Sequence, residues 1–258
     1  MGDALAETKI SIMARFYIPS ERIRDQRGTL VGGELEHLRK VLRLGPGDFL
    51  TVFDDAGWEH AAVIRGFSAD EGEIEILKSY QAERESALKT WLAVGLTKGE
   101  KMDLVVEKAT ELGVHAIVPF VSTYTVPKLD ERKIVKRAER WDKIALSAAK
   151  QCGRTRVPKI FPLCHFGEWA TQPGRDMLKL LFWEGEGHQS LKQLHEIERD
   201  VREVLLVVGP EGGFSPEEVE TAQKHDFHTI QLGRRTLRAE TAAVTAMSLV
   251  QFLWGDLG

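Results

Sequence analysis

The stretch that decides the fold runs Val204-Leu205-Leu206-Val207-Val208-Gly209-Pro210-Glu211-Gly212-Gly213-Phe214-Ser215-Pro216-Glu217-Glu218. Its first five residues are apolar and largely β-branched, which predicts a short strand covered on both faces. Gly209 and Pro210 stop that strand. Ser215 then reads as a helix N-cap, with Pro216 at the first helical position and Glu218 three residues beyond the cap. The same strand–loop–helix order recurs downstream: Thr229–Leu232, then Gly233-Arg234-Arg235-Thr236-Leu237-Arg238, then a helix from Ala239 to Trp254. Two loops of this kind at the carboxyl ends of neighbouring parallel strands face one crevice, the place where open α/β sheets bind ligands.

Neither loop is a phosphate loop. There is no GxxxxGK[ST] and no GxGxxG, and the Glu211 carboxylate would repel a di- or triphosphate. A neutral or cationic ligand meets no such penalty, and glycines let the backbone approach an adenine or a ribose closely. Taken alone, the first loop is explained as well by a tight turn that binds nothing. The second adds Arg234, Arg235 and Arg238 between an apolar strand and an apolar helix. Such a cluster is costly near a core unless it meets an anion or a carboxylate, Glu211 and Glu240 being candidates, although a solvated basic turn is also consistent with it.

Upstream, strands alternate with helices: Trp91–Leu96, the helix Gly99–Leu112, Ala116–Val121, a long helix over Arg132–Gln151, and Leu178–Trp183. This order predicts an α/β layer fold with a mostly parallel sheet. The N-terminal part differs. A short helix over Glu34–Leu42 and the turn Gly45-Pro46-Gly47-Asp48 precede strand candidates Phe49–Phe53, His60–Gly66 and Glu73–Leu77, a spacing that predicts a small antiparallel barrel. Tyr80–Ala87 is polar and reads as the linker, and residues 1–12 as a frayed extension.

Composition sets bounds. Of 258 residues, 43% are hydrophobic and 29% charged, ample for buried cores in a soluble protein. No apolar run approaches the roughly 20 residues that span a bilayer, and the opening residues lack a secretion-signal pattern. Two cysteines, Cys152 and Cys164, form no CxxC, so a cytoplasmic setting without a metal or disulfide framework is expected. The formal net charge of −4 argues against indiscriminate coating of nucleic acid, yet residues 131–156 hold nine basic against three acidic residues, a local +6. A solvated amphipathic helix explains much of that excess equally well. Gln151, Arg154 and Arg156, just past the helix, are better placed to address RNA base edges and phosphates. Arg15, Arg22, Arg24, Arg39, Lys40 and Arg43 supply a second basic surface, and Lys98 and Lys101 flank Gly99 at a strand-to-helix turn suited to a phosphate contact.

VVGPEGGFSPEE followed by LGRRTLRAETAA resembles the C-terminal signature of the SPOUT methyltransferases, most closely the RsmE type, the 16S ribosomal RNA uracil-N3 methyltransferases. The likeness continues through TKGEKMD (97–103), KATELGV (108–114), AAKQCGR (148–154) and RKVLRLGPGD (39–48), so it spans nearly the whole chain. It implies a PUA-like RNA-binding β-barrel over 13–79 and a SPOUT domain over 88–258, with a trefoil knot around 205–242. It implies S-adenosyl-L-methionine as cofactor, held by Phe182, Trp183 and Glu184, by Val208, Gly209, Pro210, Glu211, Gly212 and Gly213, and by Leu232, Gly233, Leu237 and Arg238. It also implies 16S rRNA or the small subunit as partner and a homodimer built on the apolar C-terminal helix. In the hypothesis that follows, Arg238 steadies negative charge on the uracil, while Glu240 orients that arginine or accepts the N3 proton. Two other classes are weighed beside it. A non-catalytic RNA-binding module would have a degenerate donor pocket, and a doubly wound nucleotide enzyme is disfavoured by the missing phosphate-loop lysine and by Glu211.

Overall fold

A computed structural model of the protein describes residues 14–125, 131–174, 176–185 and 189–258. The chain divides into two compact units. One runs to Glu85 and takes in Ala149–Val157; the other comprises Ser86–Ala148 and Pro158–Gly258. The extension expected at residues 1–12 lies outside the described residues.

The first unit is a curled sheet ordered β1 (Arg15–Tyr17), β4 (Phe49–Phe53), β5 (Trp58–Phe67), β6 (Glu71–Gln81), β3 (Arg27–Val31), β2 (Ile23–Arg24). Helix α1 (Gly32–Glu36) runs into a wider π-type turn over His37–Val41 between β3 and β4. Alternate residues point inward, as the two-residue period of a strand requires: Leu50 and Val52, Ala62 and Ile64, then Ile74 close on Phe16 and Leu38. The sheet departs from an all-antiparallel barrel in two ways. β1 runs parallel to β4, and the outer strands β1 and β2 do not pair, leaving a half-barrel. The β5–β6 hairpin also outruns its apolar core. Its polar arms are strand because they pair with each other, as Glu59 does with Tyr80. The stretch expected to link the domains is therefore strand as far as Gln81.

The second unit is a fully parallel sheet ordered β10 (Cys164–His165), β8 (Ala116–Val121), β7 (Lys89–Gly95), β12 (Glu203–Val208), β11 (Leu178–Phe182), β13 (His228–Ile230), with β9 (Lys159–Ile160) also on β8. The central strands β7 and β12 are buried through Leu92–Val94 and Val204–Val208, which is why they read as unbroken apolar runs. The helices are α2 (Lys101–Glu111), α3 (Glu131–Cys152), whose residues from Ala149 onward belong to the first unit, α4 (Phe166–Trp169), α5 (Leu191–Ile197), α6 (Pro216–Lys224) and α7 (Ala239–Trp254). Ser215 caps α6 as expected: its Oγ accepts the Glu218 N–H at 3.3 Å, and Glu218 Oε2 accepts the Ser215 N–H at 2.8 Å. α7 buries Ala243, Ala246, Met247 and Val250 at helical spacing and leaves Leu249 and Phe252 exposed.

Candidate functional site

Three strand ends form one row. Phe182, the last residue of β11, sits opposite Val208 at the end of β12 and opposite Ile230 at the end of β13. The loops that follow open together onto a cavity of about 400 Å³, within the range of small-molecule sites. All the residues expected to hold a cofactor line it: Phe182, Trp183 and Glu184 from the first loop, Val208 through Gly213 from the second, and Leu232, Gly233, Leu237 and Arg238 from the third. Sequence reasoning missed Phe214, Ile230, Gln231, Ala239 and Ala242 on the same wall, and within the third loop it did not single out Arg235 and Thr236. The small residues Ala239 and Ala242, three apart at a helix start, were the available signal.

The walls are shaped by backbone. A Cβ on Gly95 would lie 2.3 Å from Cδ of Pro210, so β7 passes the exit of β12 with no room for a side chain. Gly213 and Gly233 hold φ of +71° and +86°, the left-handed region that favours glycine, and a Cβ on either would meet nothing within 4 Å. Open backbone of this kind admits a flat ring and a ribose, so the cavity fits an adenosyl group. A strap after β8 fixes the second loop. The Thr123 N–H donates to Oε1 of Glu218 at 2.9 Å, Ser122 Oγ donates to the Gly213 carbonyl at 3.3 Å, and Tyr124 lies against Gly212. Nothing in the sequence marks this strap.

Charge at the cavity differs from the expectation. Glu211 accepts from Lys101 Nζ at 3.0 Å and from the Lys98 N–H at 3.1 Å. Burial opposes its ionisation, but these donors outweigh it and hold its carboxyl below the usual range. Glu240 has Lys101 as its cation, 3.7 Å away, and not Arg238. Arg238 is exposed at the start of α7, without an ion-pair partner among the described residues.

The residues proposed for RNA contact separate into two groups. Arg15 turns inward onto buried Glu59, donates to the Lys150 carbonyl at 3.2 Å and to the Arg154 carbonyl at 3.2 Å, and packs over Phe53. Arg154 is 6% exposed and donates through Nε and Nη2 to Glu85 at 3.0 and 2.7 Å, while the other Glu85 oxygen takes the N–H groups of Thr155 and Arg156. Both arginines hold the first unit together, and Lys101 is engaged by carboxylates. Arg22, Arg24, Arg39, Arg43, Lys98, Gln151 and Arg156 are exposed. Arg39 lies over Phe67 with 5.2 Å to the ring centre, and Lys40 pairs with Glu36. Among the described residues no group of three or more His, Cys, Asp or Glu could hold a metal ion, and no helix is long and apolar enough to cross a membrane.

A parallel α/β sheet with a glycine-walled cavity at its carboxyl edge, joined in one chain to a curled β unit, defines an α/β protein with a site of the size and shape for a nucleoside-like group. Comparison with known proteins gives the family. A family model described as an RNA methyltransferase domain matches residues 84–251, and another described as an RNA methyltransferase PUA domain matches residues 30–77. The chain belongs to this RNA methyltransferase family. Ribosomal RNA small subunit methyltransferase E of Bacillus subtilis (strain 168) is 33% identical over 229 residues, 87% of this chain and 89% of that protein. The protein of the same name from Buchnera aphidicola subsp. Schizaphis graminum (strain Sg) is 31% identical over 221 residues, 86% and 88% of the two chains. The crystal structure of Ribosomal RNA small subunit methyltransferase E from Neisseria gonorrhoeae bound to S-adenosyl methionine has 33% identity and a TM-score of 0.85, covering 95% of this chain and 100% of that one.

Proposed function

We propose that this protein methylates N3 of one uridine in the 16S RNA of the small ribosomal subunit, with S-adenosyl-L-methionine as donor bound in the cavity at the ends of β11, β12 and β13. The observation that carries the reading is the convergence of three adjacent strand ends on one glycine-walled cavity, with Arg238 at its rim. The relatives' shared name supports the ribosomal RNA substrate, and the resemblance of the motifs supports the base and the atom.

The donor supplies a methyl group on a cationic sulfonium. The chain's part is to place the acceptor nitrogen in line and to handle its proton. Uracil N3 carries a proton at neutral pH, and loss of that proton spreads negative charge onto O2 and O4. Arg238 is free to donate hydrogen bonds to that charge. The first turn of α7 beside it has no side-chain cap, so its N–H groups add to the same field. Glu240 is the nearest buried carboxylate in sequence and is assigned as proton acceptor, directly or through water. RNA phosphates are met by Arg22, Arg24, Arg39, Arg43, Lys98, Gln151 and Arg156.

Two further parts belong to this reading. The outward residues of α7, with Phe252 61% exposed and Leu249 beside it one turn back, support a homodimer through that helix. The passage of the chain from β12 to β13 across β11 supports the trefoil knot around 205–242. The protein works in the cytoplasm, with the ribosomal RNA. Nucleoside mass spectrometry of 16S RNA from a deletion strain tests the function. The expected result is loss of N3-methyluridine at one position and its return on complementation. An unchanged methyluridine content would refute the assignment.

A further inference from the structure

Lys101 opens helix α2 at a point where three segments meet. Its Nζ lies 3.0 Å from Oε1 of Glu211, in the loop after β12, and 3.7 Å from Oε2 of Glu240, in the first turn of α7. The turn after β7 adds the Lys98 N–H, which donates to the same Glu211 oxygen. Glu240 is 9% exposed, and its Oε2 has no hydrogen bond among the described residues, so Lys101 is the cation that offsets its burial. Glu211 lines the cavity, and Glu240 follows the rim residue Arg238 by two positions.

Two carboxylates this close repel each other unless a cation stands between them. An ammonium on a long flexible stem can serve both at once, as a point charge with three donors. We propose that Lys101 is a positioning residue for methyl transfer: it clamps the cavity wall at Glu211 to the first turn of α7 and so sets Arg238 relative to the donor. The inference rests on reading the cavity as the donor site. An ammonium free to take an RNA phosphate, as the sequence suggests, is not what the geometry provides. The trio of two carboxylates and one lysine carries −1 by itself, so Lys101 has no net positive charge to offer a phosphate.

The test uses the full-length protein with Lys101→Met and Lys101→Arg. Three quantities are read for each: donor affinity by calorimetry, affinity for a small-subunit RNA fragment, and turnover at saturating RNA and donor. Lys101→Met is expected to weaken donor binding about tenfold, the size of a lost charge-assisted hydrogen bond. Its turnover should fall and its RNA affinity stay within about twofold, and Lys101→Arg should recover most of the loss because it keeps the charge. Lost RNA affinity with intact donor binding would overturn the clamp in favour of a phosphate contact. Parental donor affinity and turnover in Lys101→Met would overturn it as well. Should Lys101→Met fail to fold, Glu211→Gln and Glu240→Gln serve instead. Each should weaken donor binding, a readout that a proton-accepting role of Glu240 does not move, and the double variant should lose less affinity than the product of the two, while independent losses would overturn the coupling. If the parent itself shows no heat with S-adenosylmethionine, it is the donor-site reading that fails, and the clamp with it.

Discussion

The carboxyl edge of the parallel sheet and the half-barrel unit each divide their cations into a set tied to carboxylates and a set left exposed, but what the exposed set faces differs: a cavity rim in one, open surface in the other. At the sheet edge, Arg238 stands exposed at the rim of a cavity, while Lys101 is the cation held between carboxylates. In the half-barrel unit, Arg15 and Arg154 are drawn inside and spent on Glu59 and Glu85, while Arg22, Arg24 and Arg43 stay outside. The lesson is that counting cations along a chain finds where positive charge is concentrated but does not tell which cations are free to meet a ligand. Only the partner decides, and a buried carboxylate takes a guanidinium out of circulation because leaving either one alone in a low-dielectric interior is too costly.

The comparison is sharpened most by Arg238→Ala. Turnover should drop by about 10²–10³, the usual cost of removing one donor to developing charge. The melting temperature should stay put because the exposed side chain has no ion-pair partner among the described residues to lose. Near-parental turnover in a single-turnover assay would sink its assignment.

Next in size is the contrast between Arg154→Ala and Arg24→Ala. Loss of the buried pair with Glu85 should destabilise the protein by about 2–4 kcal/mol in denaturant unfolding. Arg24→Ala should change stability by less than about 0.5 kcal/mol and instead weaken RNA binding with a shallower salt dependence. The opposite pattern would erase the distinction between tied and free cations.

Gly95→Ala tests the sheet edge by packing alone. The added methyl would sit 2.3 Å from Pro210, so strand or loop must shift, at about 1–3 kcal/mol. Donor affinity should fall with stability, and calorimetry on a variant as stable as the parent would show the loop to be looser than described.

The smallest effect concerns Cys164. Burial, with a lesser contribution from Glu168, pushes its thiol up to about 11. At pH 8 only about one molecule in a thousand carries the thiolate, against about a quarter for an ordinary cysteine. Its alkylation, followed by peptide mass spectrometry, should be slow at pH 8 and rise about tenfold per pH unit up to pH 10. Rapid labelling at pH 8 would mean that the site opens to solvent.

Much of the sheet edge was legible because its signals are local. The apolar run Val204–Val208, the Gly209-Pro210 stop and the Ser215-Pro216-x-Glu218 cap each act over a few residues, and every one has its expected structural consequence. Elements too short to show a period were not legible, such as β9, β10 and the seven-residue helix α5 with only Leu194 buried. The strap at Ser122–Tyr124 carries no motif at all, since its role comes from meeting Gly212, Gly213 and Glu218 some ninety residues away. The fates of Arg15 and Arg154 were hidden for the same reason, their partners Glu59 and Glu85 being 44 and 69 residues distant. The crossing of residues 149–157 into the first unit likewise has no trace in composition.

The most direct test is a crystal structure of the protein grown with S-adenosylmethionine. The account predicts density for the donor between Phe182, Gly209 and Leu237, with the Lys101 bridge to Glu211 and Glu240 intact beneath it. A cavity filled by its own side chains, or donor density at any other place on the chain, would contradict it.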